Sequence, residues 1–346
     1  MGAHKRYLEK HYNTMKRSIL YLLIMVATLV STGCREQFDK ATGSNSTPKT
    51  SIGEPYEVFV ICNDNHWESY IKDVAKIVLE DEVPGLVRPE KFFHVVDHKS
   101  FEAVNNVERK HSNILAVRID ATNESTRHDV AKDVNATMQT IVTVHSPSVE
   151  RATEYILDHG ADIRQSFEEN ERAIHHKTVA STVSEEPKRI AKEVTGLDIH
   201  IPGGFSVAKP KEDIMKWFVR KYDNKAQHIF IFTEPCEDFN TFIGFEDIVD
   251  KRLNIISVED EEGTAMGISK ERPFYLDIKE INGRRWYEAR CCWTVEGYPL
   301  GGSMVCYYTY DAERKQIITI VFALFSPEQM HRHDMAQLES LMYLIK

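Results

Sequence analysis

Unbroken apolar runs and helically spaced apolar positions alternate along the chain and give its two halves different textures. Glu57-Val-Phe-Val-Ile-Cys62 is a β-branched and aromatic run bounded by Pro55 and by Asn63-Asp64-Asn65, as expected of a buried strand. From Trp67 to Glu80, Trp67, Ile71, Val74, Ala75, Val78 and Leu79 recur at helical spacing until Pro84-Gly85 stops the pattern. Further strands are expected at 92–96, 114–119 and 140–144, with a short helix at 101–106. Residues 148–177 read as helix, with Gly160 as a candidate interruption. Residues 184–194 read as a second helix, with Ser184 as its cap, Pro187 in its first turn and Gly196 as its stop. Strands alternating with helices imply α/β layers up to a boundary near 195.

Beyond that boundary the pattern changes. Strands at 197–201 and 205–208 flank Pro202-Gly203-Gly204, and others are expected at 217–220 and 228–233. A helix follows at 242–256, then longer strands at 285–295, 303–310 and 316–325. Short connections make these three an antiparallel meander. Residues 327–345 close the chain as an amphipathic helix with Met335, Leu338, Leu341, Met342 and Ile345 on one face. The fold class is therefore α+β: two α/β halves, 52–195 and 196–346, the second an antiparallel sheet covered by helices on one face.

The segment before 52 does not read as part of the fold. Lys16-Arg17 precede an uncharged run of 16 residues, Ser18 to Gly33, and Cys34 follows. A membrane span needs about 20 apolar residues, and a signal core about 7 to 15. The length and the Gly33-Cys34 ending have the form of a bacterial lipoprotein signal, with an uncleaved anchor as the alternative. On this reading 1–33 is a leader and signal, Cys34 carries the lipid, and 34–51 is a flexible tether. Met15 makes a more natural start than Met1. Arg35-Glu36-Gln37-Phe38-Asp39-Lys40 has mixed charge and no acidic pair, so a periplasm-facing position in the cell envelope is expected.

Charge narrows the partners. Removing 1–33 takes five basic residues and one acid from 43 Lys+Arg and 53 Asp+Glu, leaving 38 against 52 and a formal charge of −14. That balance argues against nucleic acid and against a polybasic membrane surface. The expected partners are the membrane, through the N-terminal lipid, and an unidentified envelope protein or component.

Candidate chemistry is sparse. Five cysteines follow Cys34, an odd number with no C-x-x-C. A hairpin turn centred on Tyr298-Pro299 would place Cys291 opposite Cys306, as a cross-strand disulfide or a close thiol pair. His94 and His98 have i,i+4 spacing, but the first lies in an expected strand. His331 and His333 diverge on a helix, so no metal ligands are assigned. There is no H-E-x-x-H, G-x-S-x-G or phosphate-loop motif. No catalytic residue and no cofactor are expected.

One pattern extends across the C-terminal half: Glu288-x-Arg290-x-x-Trp293, Gly301-Gly302, Asp311, Pro327-Glu328 and Gln337-Leu338-Glu339. With the opening Gly53-Glu54-Pro55-Tyr56-Glu57-Val58, it resembles an uncharacterised lipoprotein family of Bacteroidota, a domain of unknown function, over roughly 52–346. The chain departs from that pattern at Cys291, Ser303-Met304 and His331. The resemblance implies an envelope location and no established activity. More loosely, Ile201-Pro-Gly-Gly-Phe205-Ser-Val, followed by a sheet and a terminal helix, looks like the PsbP/Mog1 type of sandwich. The expected function is a lipid-anchored, non-catalytic binding or interaction protein. The alternatives are an envelope hydrolase with its site between the halves, or a small-molecule or metal carrier.

Overall fold

The run at Glu57 forms β1 (Glu57–Ile61), and both of its faces are covered. Val58 and Val60 pack with Leu115, Val117, Val142 and Val144 under the helices. Phe59 and Ile61 pack with Ile114, Ala116 and Ile141 on the other side. Burial on both faces explains why the sequence is continuously apolar rather than alternating. The computed structural model describes residues 50–242, 244–257 and 263–346, so Cys34 lies outside the described residues.

A π-helical stretch, Trp67–Ile71, leads into α1 (Lys72–Leu79), which returns the chain to β2 (His94–Lys99), parallel to β1. Then come β3 (Asn113–Ile119), β4 (Arg127–Lys132) and β5 (Thr140–Ser146). The strand order is β2-β1-β3-β5-β4, with β4 antiparallel at the edge. No periodic signal marks β4, because its sequence is mostly polar and its Val130 is exposed. The helix expected at 101–106 does not form. Asn105 Oδ1 instead accepts from the backbone N–H groups of Val107 and Glu108, a local turn that competes with helix.

Two helices follow, α2 (Val149–Asp158) and α3 (Gly160–Val179). They divide at Gly160, where a Cβ would come within 2.6 Å of Val78 on α1. In α4 (Glu185–Thr195), Ser184 occupies the capping position, but its hydroxyl donates to Pro202 O at 2.8 Å rather than capping the helix.

The second sheet comprises β6 (Ser206–Ala208), β7 (Lys216–Tyr222), β8 (Lys225–Pro235), β9 (Ala265–Ile268), β10 (Tyr275–Ile281), β11 (Arg284–Glu296), β12 (Tyr298–Asp311) and β13 (Gln316–Phe325). Its antiparallel order is β10-β11-β12-β13-β8-β7-β6, and β9 pairs with the far end of β11. Residues 197–201 are not a strand. Leu197, Ile199 and Ile201 enter the core from an irregular segment whose Asp198 backbone exchanges hydrogen bonds with Lys346. The helix α6 (Arg332–Ser340) continues as a 3₁₀ turn, Leu341–Leu344, and buries the five apolar residues expected of it. Helices cover both faces rather than one. α4 and α6 lie over Phe218, Trp286, Ile320 and Phe322, while α5 (Phe245–Leu253) lies over Phe230, Ala289, Cys306 and Val321.

The β11–β12 hairpin turns at Glu296-Gly297, with Val295 opposite Tyr298 and Gly297 at φ 76°. The register is therefore shifted from the one expected. Cys291 faces Met304, and Cys306 faces Ala289. Both cysteines are free, buried thiols in the core under α5. Although not directly opposite, the two thiols are close: a hydrogen bond that the Cys306 S–H donates to Cys291, together with burial, raises the Cys306 pKa well above the ordinary thiol value.

Candidate functional site: a charged cleft between the two sheets

Alternation along β11 turns Trp286, Glu288 and Arg290 toward the same face. Trp286 ends the apolar core there, and the next two positions carry charge at the wall of a cavity of about 1110 Å³. Tyr307 is directly opposite Glu288 on β12 and donates to Glu288 Oε2 at 2.6 Å. Arg290 Nε donates to Glu288 Oε1 at 2.9 Å, and its two terminal nitrogens grip both carboxylate oxygens of Glu339 on α6. Burial alone would lower the Arg290 pKa, but Glu339 and Glu288 hold it well above its ordinary value. Burial, then Glu288, raises the Tyr307 pKa well above its ordinary value.

The loop between α1 and β2 forms a second wall. A Cβ at Gly85 (φ +76°) would meet Arg290 Cβ at 2.7 Å, so this contact requires a glycine. Val87 N donates to Ser303 Oγ at 3.0 Å, and Ser303 Oγ lies 2.9 Å from His331 Nδ1. His331 Nε2 lies 2.9 Å from Ser326 O. A carbonyl only accepts, so Nε2 carries the proton and Nδ1 receives the Ser303 hydroxyl. The Glu90 carboxylate accepts from the backbone N–H groups of His331 and Arg332, at 2.6 and 2.8 Å, and neutralises the start of α6.

The third wall comes from α3. Tyr56 Oη and His175 Nε2 are 2.7 Å apart and buried. Burial, assisted by His333 and Arg332, pushes the His175 pKa down to about 3, so its ring is neutral. Burial raises the Glu171 carboxyl, although Asn113 Nδ2 donates to it at 2.7 Å. The Arg332 guanidinium lies 4.5 Å from the Tyr56 ring centre and 5.4 Å from that of Phe92. Arg172 lies 3.7 Å from the centre of Tyr343.

These groups suit recognition better than bond cleavage. The Ser303–His331 pair has the contact of a nucleophile and base, but Ser303 is fully buried and bonded on both sides. Cys292 borders the cleft with its thiol pushed up to about 11 by burial, far from a ready thiolate. Cys291 and Cys306 face the opposite side of the sheet. His98 pairs with Asp64 at 3.2 Å and stacks on Trp67, while His94 has no part in that contact. Among the described residues, no group of three or more His, Cys, Asp or Glu is placed to hold a metal. Among them, too, no helix is long and apolar enough to cross a membrane.

A site between the halves was expected only on the alternative, hydrolase reading and with no residues assigned to it, yet several residues of the cleft belonged to the C-terminal pattern. Glu288, Arg290 and Glu339 form its ionic network, while Trp293 and Gly302 face each other in the β11–β12 ladder. Two positions at which the chain departs from that pattern, Ser303 and His331, are direct partners.

Comparison with known proteins follows the two halves. The model "Domain of unknown function (DUF8532)" matches residues 51–180, and "Domain of unknown function (DUF4837)" matches 184–343. No curated protein matches the chain. One solved structure, an immunity protein of the Stenotrophomonas maltophilia type IV secretion system, is 13% identical over 43% of this chain and 87% of its own. Its TM-score of 0.17 is too low to carry an argument about fold or function. Each half of the chain is thus similar to a domain of unknown function.

Proposed function

We propose that this is a lipid-anchored cell-envelope protein whose body binds a partner protein or envelope component without transforming it. The observation that supports a binding role is the state of the cleft's reactive groups. Arg290 is committed to two carboxylates, Tyr307 donates to one of them, and Ser303 and His331 are bonded to each other and to backbone. A catalytic acid or base needs a titrating group free to reach substrate. A binding cleft needs fixed, preorganised groups, which this network supplies. The anchor is motivated by the Lys16-Arg17, apolar run and Gly33-Cys34 sequence.

Two measurements on the full chain in its native membrane test this reading. Cys34→Ser should abolish metabolic labelling by fatty acid and release the protein from the membrane fraction; retained labelling ends the lipoprotein reading. Affinity capture in mild detergent should recover a specific envelope partner. Failure to retain one, together with turnover of a hydrolase substrate panel that is lost in a cleft variant, would favour the enzyme reading.

A further inference from the structure

The cleft meets β10 in an unusual way. Tyr275, Leu276, Asp277, Ile278, Lys279 and Glu280 all line it. Side chains of a strand alternate between faces, so one face of β10 supplies only every second residue. Six consecutive residues on one cavity mean that the cavity borders the edge of the strand, where its backbone groups emerge. Among the described residues, β10 is the terminal strand of its sheet and pairs only with β11. Ile278 N–H is satisfied by Asp277 Oδ1 at 2.8 Å rather than by β11. In an antiparallel ladder, successive residues alternate between facing the neighbour and facing away. Leu276, Ile278 and Glu280 therefore turn their backbone groups outward. Leu276 and Ile278 are also 67% and 58% exposed, large apolar side chains flanking that edge.

The opposite walls carry matching charge. Arg172 and Arg332 are held against aromatic rings, and among the described residues neither guanidinium forms an ion pair with a carboxylate. Arg332 Nε is buried with no hydrogen-bond partner among the described residues. Nine carboxylates line the same cavity. Asp81, Glu169 and Asp277 pair with Arg164, Lys132 and Lys279, Glu288 and Glu339 pair with Arg290, and burial raises the Glu171 carboxyl. Among the described residues that leaves Glu82, Glu168 and Glu280 without an ion pair, against Arg88, Arg172, Arg272 and Arg332. Planar guanidiniums fixed in this way present ready donors to an incoming carboxylate.

We propose that the cleft takes an extended, acidic polypeptide segment that pairs with β10 as an added strand and places carboxylates on Arg172 and Arg332. Main-chain pairing supplies sequence-tolerant affinity, and the arginines select charge. Asp277 occupies the Ile278 N–H until a peptide carbonyl displaces it, which protects the edge from indiscriminate pairing. This assignment rests on reading the protein as a binder and names the chemistry of what it binds.

The probe is a blocked peptide of alternating Glu and Val, added to the soluble chain from residue 50 onward. That segment forms one compact unit by itself. Saturable binding below about 1 mM is expected, with slowed amide exchange at Leu276, Ile278 and Glu280. Arg172→Gln should weaken binding about tenfold, and Leu276→Pro should abolish it by removing an outward N–H. Both variants should keep the parent's unfolding midpoint, Leu276 being exposed on an edge where proline is tolerated. A peptide N-methylated on alternate residues should fail to bind. Equal binding of the N-methylated peptide, or of its Lys-Val counterpart, would overturn strand addition or charge selection respectively. No binding of the Glu-Val peptide would overturn the proposal outright. It would leave the broader binder reading standing, since detergent capture of a partner tests that separately.

Discussion

Arg290 has a side chain only 13% exposed and faces Glu288 and Glu339, at 6% and 13%. Taking one partner from a buried charge set leaves the others unsolvated, which costs about 3–5 kcal/mol, whereas replacing the whole set by neutral groups is often harmless. Arg290→Ala should therefore lower the unfolding free energy by about 3–5 kcal/mol in a denaturant titration. The combined Arg290→Met, Glu288→Gln, Glu339→Gln variant should recover most of it. A loss for the single variant within the range of surface pairs, below about 1 kcal/mol, would show the network to be solvated. Half of this arrangement was readable from spacing, since Glu288 and Arg290 are two apart on a strand and share a face. Glu339 was not readable as their partner, because it arrives on a helix 49 residues further along.

The β11–β12–β13 meander shows what the apolar pattern conveys about elements and what it omits. Its three strands were visible because long β-branched and aromatic runs have no other good use in a compact chain. The register was misjudged because Tyr298-Pro299 looks like a turn. Pro299 lies within β12, near a register irregularity at Thr294/Val295 and on an exposed position where a missing N–H does little harm. Gly302 matters more. It is opposite Trp293, whose indole N–H donates to Leu324 O at 3.1 Å, and a Cβ at 302 would fall on that same carbonyl oxygen. Gly302→Ala should force β12 away from β13, cost about 1–3 kcal/mol or more, and shift the Trp293 emission. An unchanged thermal midpoint and spectrum would refute that close approach. β9 and β10 escaped notice because β9 is short and the solvent-facing positions of β10 mix apolar with charged residues.

At the scale of the molecule, a few apolar contacts join the two sheets, Leu86 with the core of the second and Ala336 with that of the first, and polar contacts add to them. The polar contacts include Glu90 at the start of α6, Val87 on Ser303, and the His176 ring on Ser340 O at 2.7 Å. His175 and His331, buried at these joints, and His228, on β8 against Trp217 and Phe230, make stability depend on pH. Burial lowers His175 to about 3 and His228 to about 4, against an ordinary value of 6.5. The unfolded chain therefore binds these protons first as the medium is acidified. The stabilisation is fully present above 6.5 and is lost as pH falls toward the folded values. Glu171, raised by burial, acts in the opposite sense, its contribution fading as pH rises through its folded value. The net expectation is that unfolding free energy declines below pH 6.5 by up to about 1.4 kcal/mol per unit for each histidine. His175→Gln should flatten the profile. A slope that is the same in parent and variant would mean that His175 is not held neutral.

Periodicity and composition were enough for the α+β class, the two textures, most of the strands and the apolar face of the last helix. Each of these depends on burial of residues close together in sequence, and the hydrophobic effect acts on such residues wherever the rest of the chain goes. The same information motivates the proposal that Cys34 carries a lipid, which rests on a linear string of residues outside those the structure describes. The cleft depended on contacts between distant segments: a loop glycine against Arg290, an α3 arginine against a C-terminal tyrosine, and a glutamate reaching across to cap α6. Coulombic pairing and backbone capping leave no periodic trace in the chain, since their partners are chosen by topology. The open edge of β10 belongs with them, for a strand becomes an edge only when its sheet is assembled.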